Sequence, residues 1–420
     1  MRSFVLAVPA FAALALASAA GCSSSKAPAS ASAGDDGGAA DSGTITTASF
    51  TMTETVPGGG EIFDCKYVQL ADVDQWLIAG KHDYTPGSHH LLLYTTALTS
   101  IPAGGDQVQD CYEGAGGNSI MGNVTGVLYG GQTPTGSETY PLGVGLPTTA
   151  NEVLVFQVHY LNDTANDLQT TVNVDLTFDT NPSDITSRAG IMFFYDPFIA
   201  VPAGATAKAS MRCLIPSDVT LLYASSHYHS RGVGYDAYID PAVDQLGTAP
   251  FYTSSSWSSP DNALLTMPIA AGSRLRFECD YDNSAGTQAY FSGQSAQTNE
   301  MCMFIGTYYP EMGEGSDFCV QGEDMFGTGT AACGATLSCM QACGGQLSLG
   351  GGAQSPPPDC NQTCIVDSCP TASAPYMDLD TCATSTCKTE CADATSTDCA
   401  TCLTTSCATQ YATCQSHTCN

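Results

Sequence analysis

Five of the seven histidines in this chain sit in three settings that suit a metal ion. His227-Tyr228-His229 is the plainest. Side chains alternate faces along a strand, so His-x-His puts both imidazoles on one face, within reach of one ion. His89-His90 is more demanding, because adjacent strand side chains point oppositely. Both can ligate one ion only if the backbone bends there, and Gly87-Ser88 just before them offers a place to bend. His159 follows Gln157 in an apolar run and, taken alone, reads as a hydrogen-bonded core histidine. His82 reads as a surface residue, and His417 stands apart near the C-terminus. No carboxylate ligand lies beside the five in sequence. Imidazole without carboxylate suits zinc or copper better than magnesium or calcium.

The elements that must position these residues read as strands. Tyr67 to Ala71, His90 to Tyr94, Val153 to Tyr160, Thr171 to Phe178, Leu221 to Ala224 and Met303 to Tyr309 are short apolar or alternating runs. Gly, Pro, Asn and Asp punctuate the chain between them. Many short strands without helical periods argue for a mainly β fold of two antiparallel, jelly-roll-like sandwiches. The polar stretch 181–188 divides them, giving domains at 45–187 and 188–320. Of six cysteines in this region, Cys65 and Cys111 fall in the first domain, and Cys213, Cys279, Cys302 and Cys319 in the second. Every pair can therefore close within a domain.

Both ends differ from this middle. Residues 1–21 have a charged start, an apolar core and small residues after it, the pattern of an export signal. They run into Cys22 as a bacterial lipoprotein signal does, so Cys22 is the expected lipidation site. Parity agrees: removing Cys22 from the 21 cysteines leaves 20, which can all pair. Residues 22–44 are Ser-, Ala-, Gly- and Asp-rich, a tether. The protein is thus expected to be exported and lipid-anchored to the bacterial cell envelope, meeting membrane only through Cys22. Residues 321–420 hold 14 cysteines, often four or five positions apart. Short helices stapled to one another by disulfides fit that spacing. A thiolate metal site at Cys399 and Cys402 is the rival reading of the tail.

The motifs Ser88-His89-His90-Leu-Leu-Leu, Gln157-Val158-His159-Tyr160, Ser226-His227-Tyr228-His229-Ser-Arg-Gly232 and Asn299-Glu300-Met301-Cys302-Met303 occur in this order. Taken together, they resemble the ascorbate-dependent copper monooxygenases, the family of dopamine β-monooxygenase and peptidylglycine α-hydroxylating monooxygenase. The resemblance covers about residues 45–320. Arg188-Ala189-Gly190-Ile191 and Val201-Pro202-Ala203-Gly204 look like the start of that family's second domain. It implies two copper ions. His89, His90 and His159 would hold an electron-storing ion; His227, His229 and Met301 would hold the ion where oxygen and substrate meet. A soft thioether favours Cu(I); Met303 is the alternative if the register is displaced by two. The resemblance also implies the pairs Cys65–Cys111, Cys213–Cys319 and Cys279–Cys302.

The expected activity is hydroxylation of a C–H bond of a small organic substrate by O2, with ascorbate or another one-electron reductant. Where the peptide-amidating branch has Arg, Asn and Tyr to hold a peptide carboxylate, this chain has Ser225, Met303 and Ile305, so an apolar or aromatic substrate fits better. Three other readings compete: an exported copper-binding lipoprotein without turnover, a zinc hydrolase on His89, His90 and His159, and a surface lipoprotein whose active part is the tail. A net charge of −30, from 11 Lys+Arg against 41 Asp+Glu, excludes a basic nucleic-acid-binding face.

Overall fold

The computed structural model describes residues 45–112, 119–196, 199–242, 245–313, 317–319, 329–342, 364, 367–387, 389–392 and 396–419. The expected signal peptide, the lipidation site Cys22 and the tether lie outside these residues.

The protein is mainly β, with several sheets followed by a disulfide-linked tail. In the first half, one sheet runs Ile45–Val56, Leu168–Asp179, Gln75–Tyr84, Val144–Thr148, Ser187–Arg188, with Thr135–Thr139 also on Gln75–Tyr84. The second sheet runs Gln109–Asp110, Glu61–Gln69, Val153–Leu161, Ser88–Thr96, Val124–Gly131. The two share a core that includes Leu77, Leu91, Phe156, Val174 and Phe178. Strand Leu168–Asp179 shows why: every second residue from Thr170 to Phe178 is buried, the period-2 signature of a half-covered strand.

Strand Val153–Leu161 is buried on both faces. Leu154, Phe156, Val158 and Tyr160 enter the main core. Val153 and Val155 enter a satellite core with Phe63, Tyr67, Leu92 and the Cys65–Cys111 bridge. Alternation then sets Gln157 and His159 on this second face.

In the second half, Ala263–Ile269, Val219–Tyr228, Cys302–Tyr309, Gly190–Tyr195 and Phe318–Cys319 form one sheet, and Thr206–Leu214, Arg274–Asp282, Gly232–Asp240 and Tyr252–Ser254 another. Their shared core includes Phe194, Met211, Leu221, Tyr235, Phe277 and Phe304. Bridges Cys213–Cys319 and Cys279–Cys302 lie in this half. The pairing between strands is antiparallel except for two short joins, Ser187–Arg188 beside Val144 and Gly145, and Phe318–Cys319 beside Phe193 and Phe194. Arg188 thus still pairs with the first half, and the chain changes sheets at Ala189, one residue later than the polar stretch suggests.

The halves pack directly. Leu222 and Tyr223 leave their own core and join that of the first half. Glu138 accepts from Asn262 Nδ2 at 2.6 Å and from Thr307 Oγ1 at 3.2 Å. Tyr112 Oη donates to Gln294 Oε1 at 3.0 Å.

In the tail, helices Cys333–Ala342, Ser373–Ser385, Thr397–Thr405 and Ala408–Ser416 are stapled by Cys333–Cys414, Cys339–Cys364, Cys369–Cys419, Cys382–Cys407, Cys387–Cys402 and Cys391–Cys399. The helices are too short and too poor in large apolar residues to hold by packing alone. Each bridge typically contributes about 2–4 kcal/mol. Cys399 and Cys402 are both in disulfides, which removes the thiolate metal site. Nine disulfides join the described cysteines, as in exported proteins of oxidising compartments. Cys343 and Cys360 lie outside the described residues. No described helix is long and apolar enough to cross a membrane.

Candidate metal centre

The awkward pair His89-His90 is resolved by a β-bulge. Ser88 pairs with Tyr160 and His90 with His159, so His89 is the extra residue between them. Gly87, at φ 111°, supplies a backbone turn that other residues rarely adopt. In a regular strand His89 would share the face of Leu91 and Leu93, both in the main core. The bulge turns it out of that register. His90 keeps the face of Leu92 and Tyr94, directly opposite His159.

The second half supplies the other ligands from one sheet face. Leu221, Ala224 and Tyr228 point into their own core. Ser225 and His227 alternate to the opposite face, toward the first half. His227 lies across from Met303, and Tyr228 across from Cys302. The ladder ends at that pair, and His229 and Met301 are the next residues beyond it on the two strands. Met301 is buried, and its carbonyl accepts from Tyr281 Oη at 2.6 Å. The neighbouring Cys302 is bonded to Cys279. Buried Glu300 ties the two segments: its Oε1 accepts from Arg231 Nη1 at 3.1 Å and from the Arg231 backbone N–H at 3.2 Å.

The structure brings all five histidines into one cluster. His89 lies 4.5 Å from His227 and 5.2 Å from His229 between ring centroids, and 5.4 Å and 5.0 Å from His90 and His159. Two ligand groupings result, His89–His90–His159 and His89–His227–His229, with the ligand atoms of each within 4.8 Å of one another. His89 falls in both groupings. Burial strips water from the rings and disfavours their charged forms. It holds His89, His159 and His227 well below the ordinary histidine range, helped by the neighbouring imidazoles. His90 is lowered to about 4 and His229 to about 3, again chiefly by burial. Neutral imidazole is the form that ligates a metal.

Four of the rings have one nitrogen engaged. His159 Nε2 meets Glu61 Oε1 at 2.8 Å, and His90 Nε2 meets Gln157 Oε1 at 3.3 Å. His227 Nδ1 meets Gln132 Oε1 at 2.6 Å, and His229 Nδ1 meets the Asn299 carbonyl at 3.2 Å. An acceptor on one ring nitrogen fixes the tautomer and aims the other at a metal. The ligand atoms would then be Nδ1 of His90 and His159 and Nε2 of His227 and His229. Neither nitrogen of His89 has a hydrogen-bond partner, nor has Nε2 of His229. Buried unpartnered nitrogens in an imidazole-rich cluster fit a soft or borderline d-block ion.

Glu61 is the residue that the sequence reading missed. It stands across from Leu161, which shares a strand face with His159. The same carboxylate accepts from Ser295 Oγ at 2.6 Å and from the Ala296 backbone N–H at 2.7 Å, both in the second half. So a carboxylate does serve the centre, beside a ligand rather than as one. Its position 98 residues before His159 gave no local signal. Phe63 stacks on His159, centroids 4.0 Å apart, and Trp257 lies 5.5 Å from His89. A cleft of about 300 Å³ adjoins, lined by Glu61, Phe63, Asp64, Asp110, Ser295 and Thr298 among others.

His82 is not a surface residue. It is buried, with Nδ1 2.8 Å from Tyr129 Oη and Nε2 2.9 Å from the Thr133 carbonyl. In the tail, His417 lies near Cys369 and Cys419, but those two sulfurs are bonded to each other.

No protein-family model matches the chain, and no curated protein matches it. Among solved structures it is similar to PNGF-II, with 9% identity and a TM-score of 0.28, over 64% of this chain and 65% of that one. The matched part is thus under two thirds of that protein's chain. A likeness of this depth informs neither fold comparison nor function.

Proposed function

We propose that the chain is an exported dicopper monooxygenase, similar to the ascorbate-dependent copper family, that hydroxylates a C–H bond of a small organic substrate. One observation carries the reading: five imidazoles, four buried and His90 half-buried, converge from both halves, and four have a nitrogen fixed by a dedicated acceptor. His89, His90 and His159 would hold one copper; His227, His229 and Met301 would hold the other. Copper cycling between Cu(I) and Cu(II) would supply the redox chemistry, with ascorbate or a similar one-electron donor as reductant.

The chain's own residues contribute position and environment. Glu61, Gln157, Gln132 and the Asn299 carbonyl set the ring orientations. Burial keeps the rings neutral. Phe63 and the cleft beside it offer a partly apolar route for a small molecule, while Glu61, Asp64 and Asp110 disfavour carboxylate substrates there. A lipid at Cys22 would anchor the protein to the bacterial cell envelope.

The depth of burial also favours a second reading, a lipoprotein that holds copper without turnover: His159 and His229 are 0% exposed. The test offers small phenols, amines and neutral aromatics to the copper-loaded chain with ascorbate and labelled O2. Gain of one oxygen atom by a substrate supports the enzyme. Oxygen uptake that stays stoichiometric with copper, whatever is offered, supports the holding protein instead.

A further inference from the structure

We infer that Gln132, a residue of the first half, completes the copper site of the second half, so that contact between the halves sets how tightly that copper is held. The inference rests on the dicopper reading and deepens it: one of the two ions depends on a side chain supplied from across the junction.

Three observations carry it. First, the orienting acceptors are unevenly placed. His159 meets Glu61, His90 meets Gln157 and His229 meets the Asn299 carbonyl, each acceptor lying in the ligand's own half. His227 meets Gln132 Oε1 at 2.6 Å, and Gln132 directly follows the first-half strand Val124–Gly131. Second, the direction of that amide is fixed. Gln132 Nε2 lies 2.8 Å from the Ser226 carbonyl and 3.3 Å from Ser225 Oγ. A carbonyl only accepts, so the amide nitrogen must face Ser226 and the amide oxygen must face His227. His227 Nδ1 therefore carries the ring proton, and Nε2 is left to ligate. Third, Ser225, Ser226 and His227 are buried in succession. Bulk water has little access to replace the amide there.

The physical consequence is one of orientation. No covalent bond changes, the proton stays on Nδ1 and no electron moves. With Gln132 in place, the His227 lone pair is held in one direction. Without it, the ring loses its acceptor and turns more freely, so the copper of His227, His229 and Met301 is held less tightly. The rings of the first set keep the acceptors of their own half. Linkage makes the effect reciprocal: copper at the second set strengthens the contact between the halves by the same factor.

The test measures Cu(I) affinity by competition with a calibrated chelator, on full chains that keep one ligand set. His159→Ala leaves the second set, and His229→Ala leaves the first. In the His159→Ala chain, Gln132→Ala should weaken copper binding about 10–100-fold, the range for partners of this kind. In the His229→Ala chain it should leave the affinity unchanged. Gln132→Glu keeps an acceptor for His227 and lacks the N–H donors to Ser225 and Ser226. It should hold copper at the second set more tightly than Gln132→Ala, which separates orientation of the ring from contact between the halves. Glu138→Ala, which loses the contacts to Asn262 and Thr307 elsewhere at the junction, should weaken the second set. Its effect should vanish once Gln132 is Ala, the non-additivity expected of coupled residues. If Gln132→Ala does not fold, Glu138→Ala in the two single-set chains decides. Second-set copper that ignores both substitutions would overturn the inference and leave the dicopper reading standing. Equal weakening of both sets would also overturn it, as a general loosening of the fold. A chain that takes up no copper at either set would overturn the dicopper reading itself.

Discussion

His89 and His227 come from opposite halves of the chain, and their ring centroids lie 4.5 Å apart. The centre therefore exists only while the halves stay docked. Glu138, Gln132 and Glu61 all hydrogen-bond across that junction, within or close to the strands that carry the ligands. Docking and ligand placement are one structural problem in this protein.

Met301 and Met303 are the sharpest mutational test. The ladder sets Met303 across from His227, with Met301 and His229 just beyond its end. Met301→Ile should abolish oxygen insertion while copper at His89, His90 and His159 is retained, read by metal analysis and product mass. Full activity in Met301→Ile with loss in Met303→Ile would move the thioether ligand by two residues.

Glu61 serves both His159 and the segment Ser295–Ala296 that precedes Met301. Partners of this kind typically change metal affinity by about 10–100-fold when removed. Glu61→Gln should weaken copper binding within that range. Ser295→Ala loses only one contact between the halves and should weaken it less. Equal affinities in wild type and Glu61→Gln, by competition with a calibrated chelator, would show that Glu61 does not orient His159.

His82 should matter for stability alone. Its ring sits so close to Gly131 and Gly136 that a Cβ at either would collide with it. His82→Ala removes the partner of the buried Tyr129 hydroxyl, at a cost of about 1–3 kcal/mol, with a further cost for the cavity. Denaturant unfolding should show the loss, and copper content should stay at the wild-type value.

Metal removal should destabilise the docked halves. A ligand at 100 times its Kd stabilises the native state by about 2.7 kcal/mol per site. Chelated protein should therefore unfold at lower denaturant than copper-loaded protein. The difference should disappear in His227→Ala/His229→Ala/His159→Ala, because no intact ligand set remains. A midpoint that ignores copper in the wild type would argue against a site spanning both halves.

Much of the fold is legible in the sequence because it depends on local period. Strand Leu168–Asp179 alternates in sequence and in burial alike. The cysteine pairs close as the resemblance implies because each bridge sits within one half. What escaped depends on distant geometry. The bulge at His89 is set by pairing with Val153–Leu161, and no local pattern marks it beyond Gly87. Glu61 reaches His159 only through cross-strand register. The reading of His82 as a surface residue fails because alternation sends it inward between two glycines. That His89 falls in both groupings depends on how the halves dock, which no single motif encodes.

The central claim is a two-copper centre with imidazole and thioether ligands, and X-ray absorption of the Cu(I)-loaded chain tests it most directly. The account predicts two coppers per chain, nitrogen scattering from imidazole, and a copper–sulfur contribution that disappears in Met301→Ile. One equivalent of zinc with no copper uptake, or two coppers with no sulfur ligand in the wild type, would contradict it.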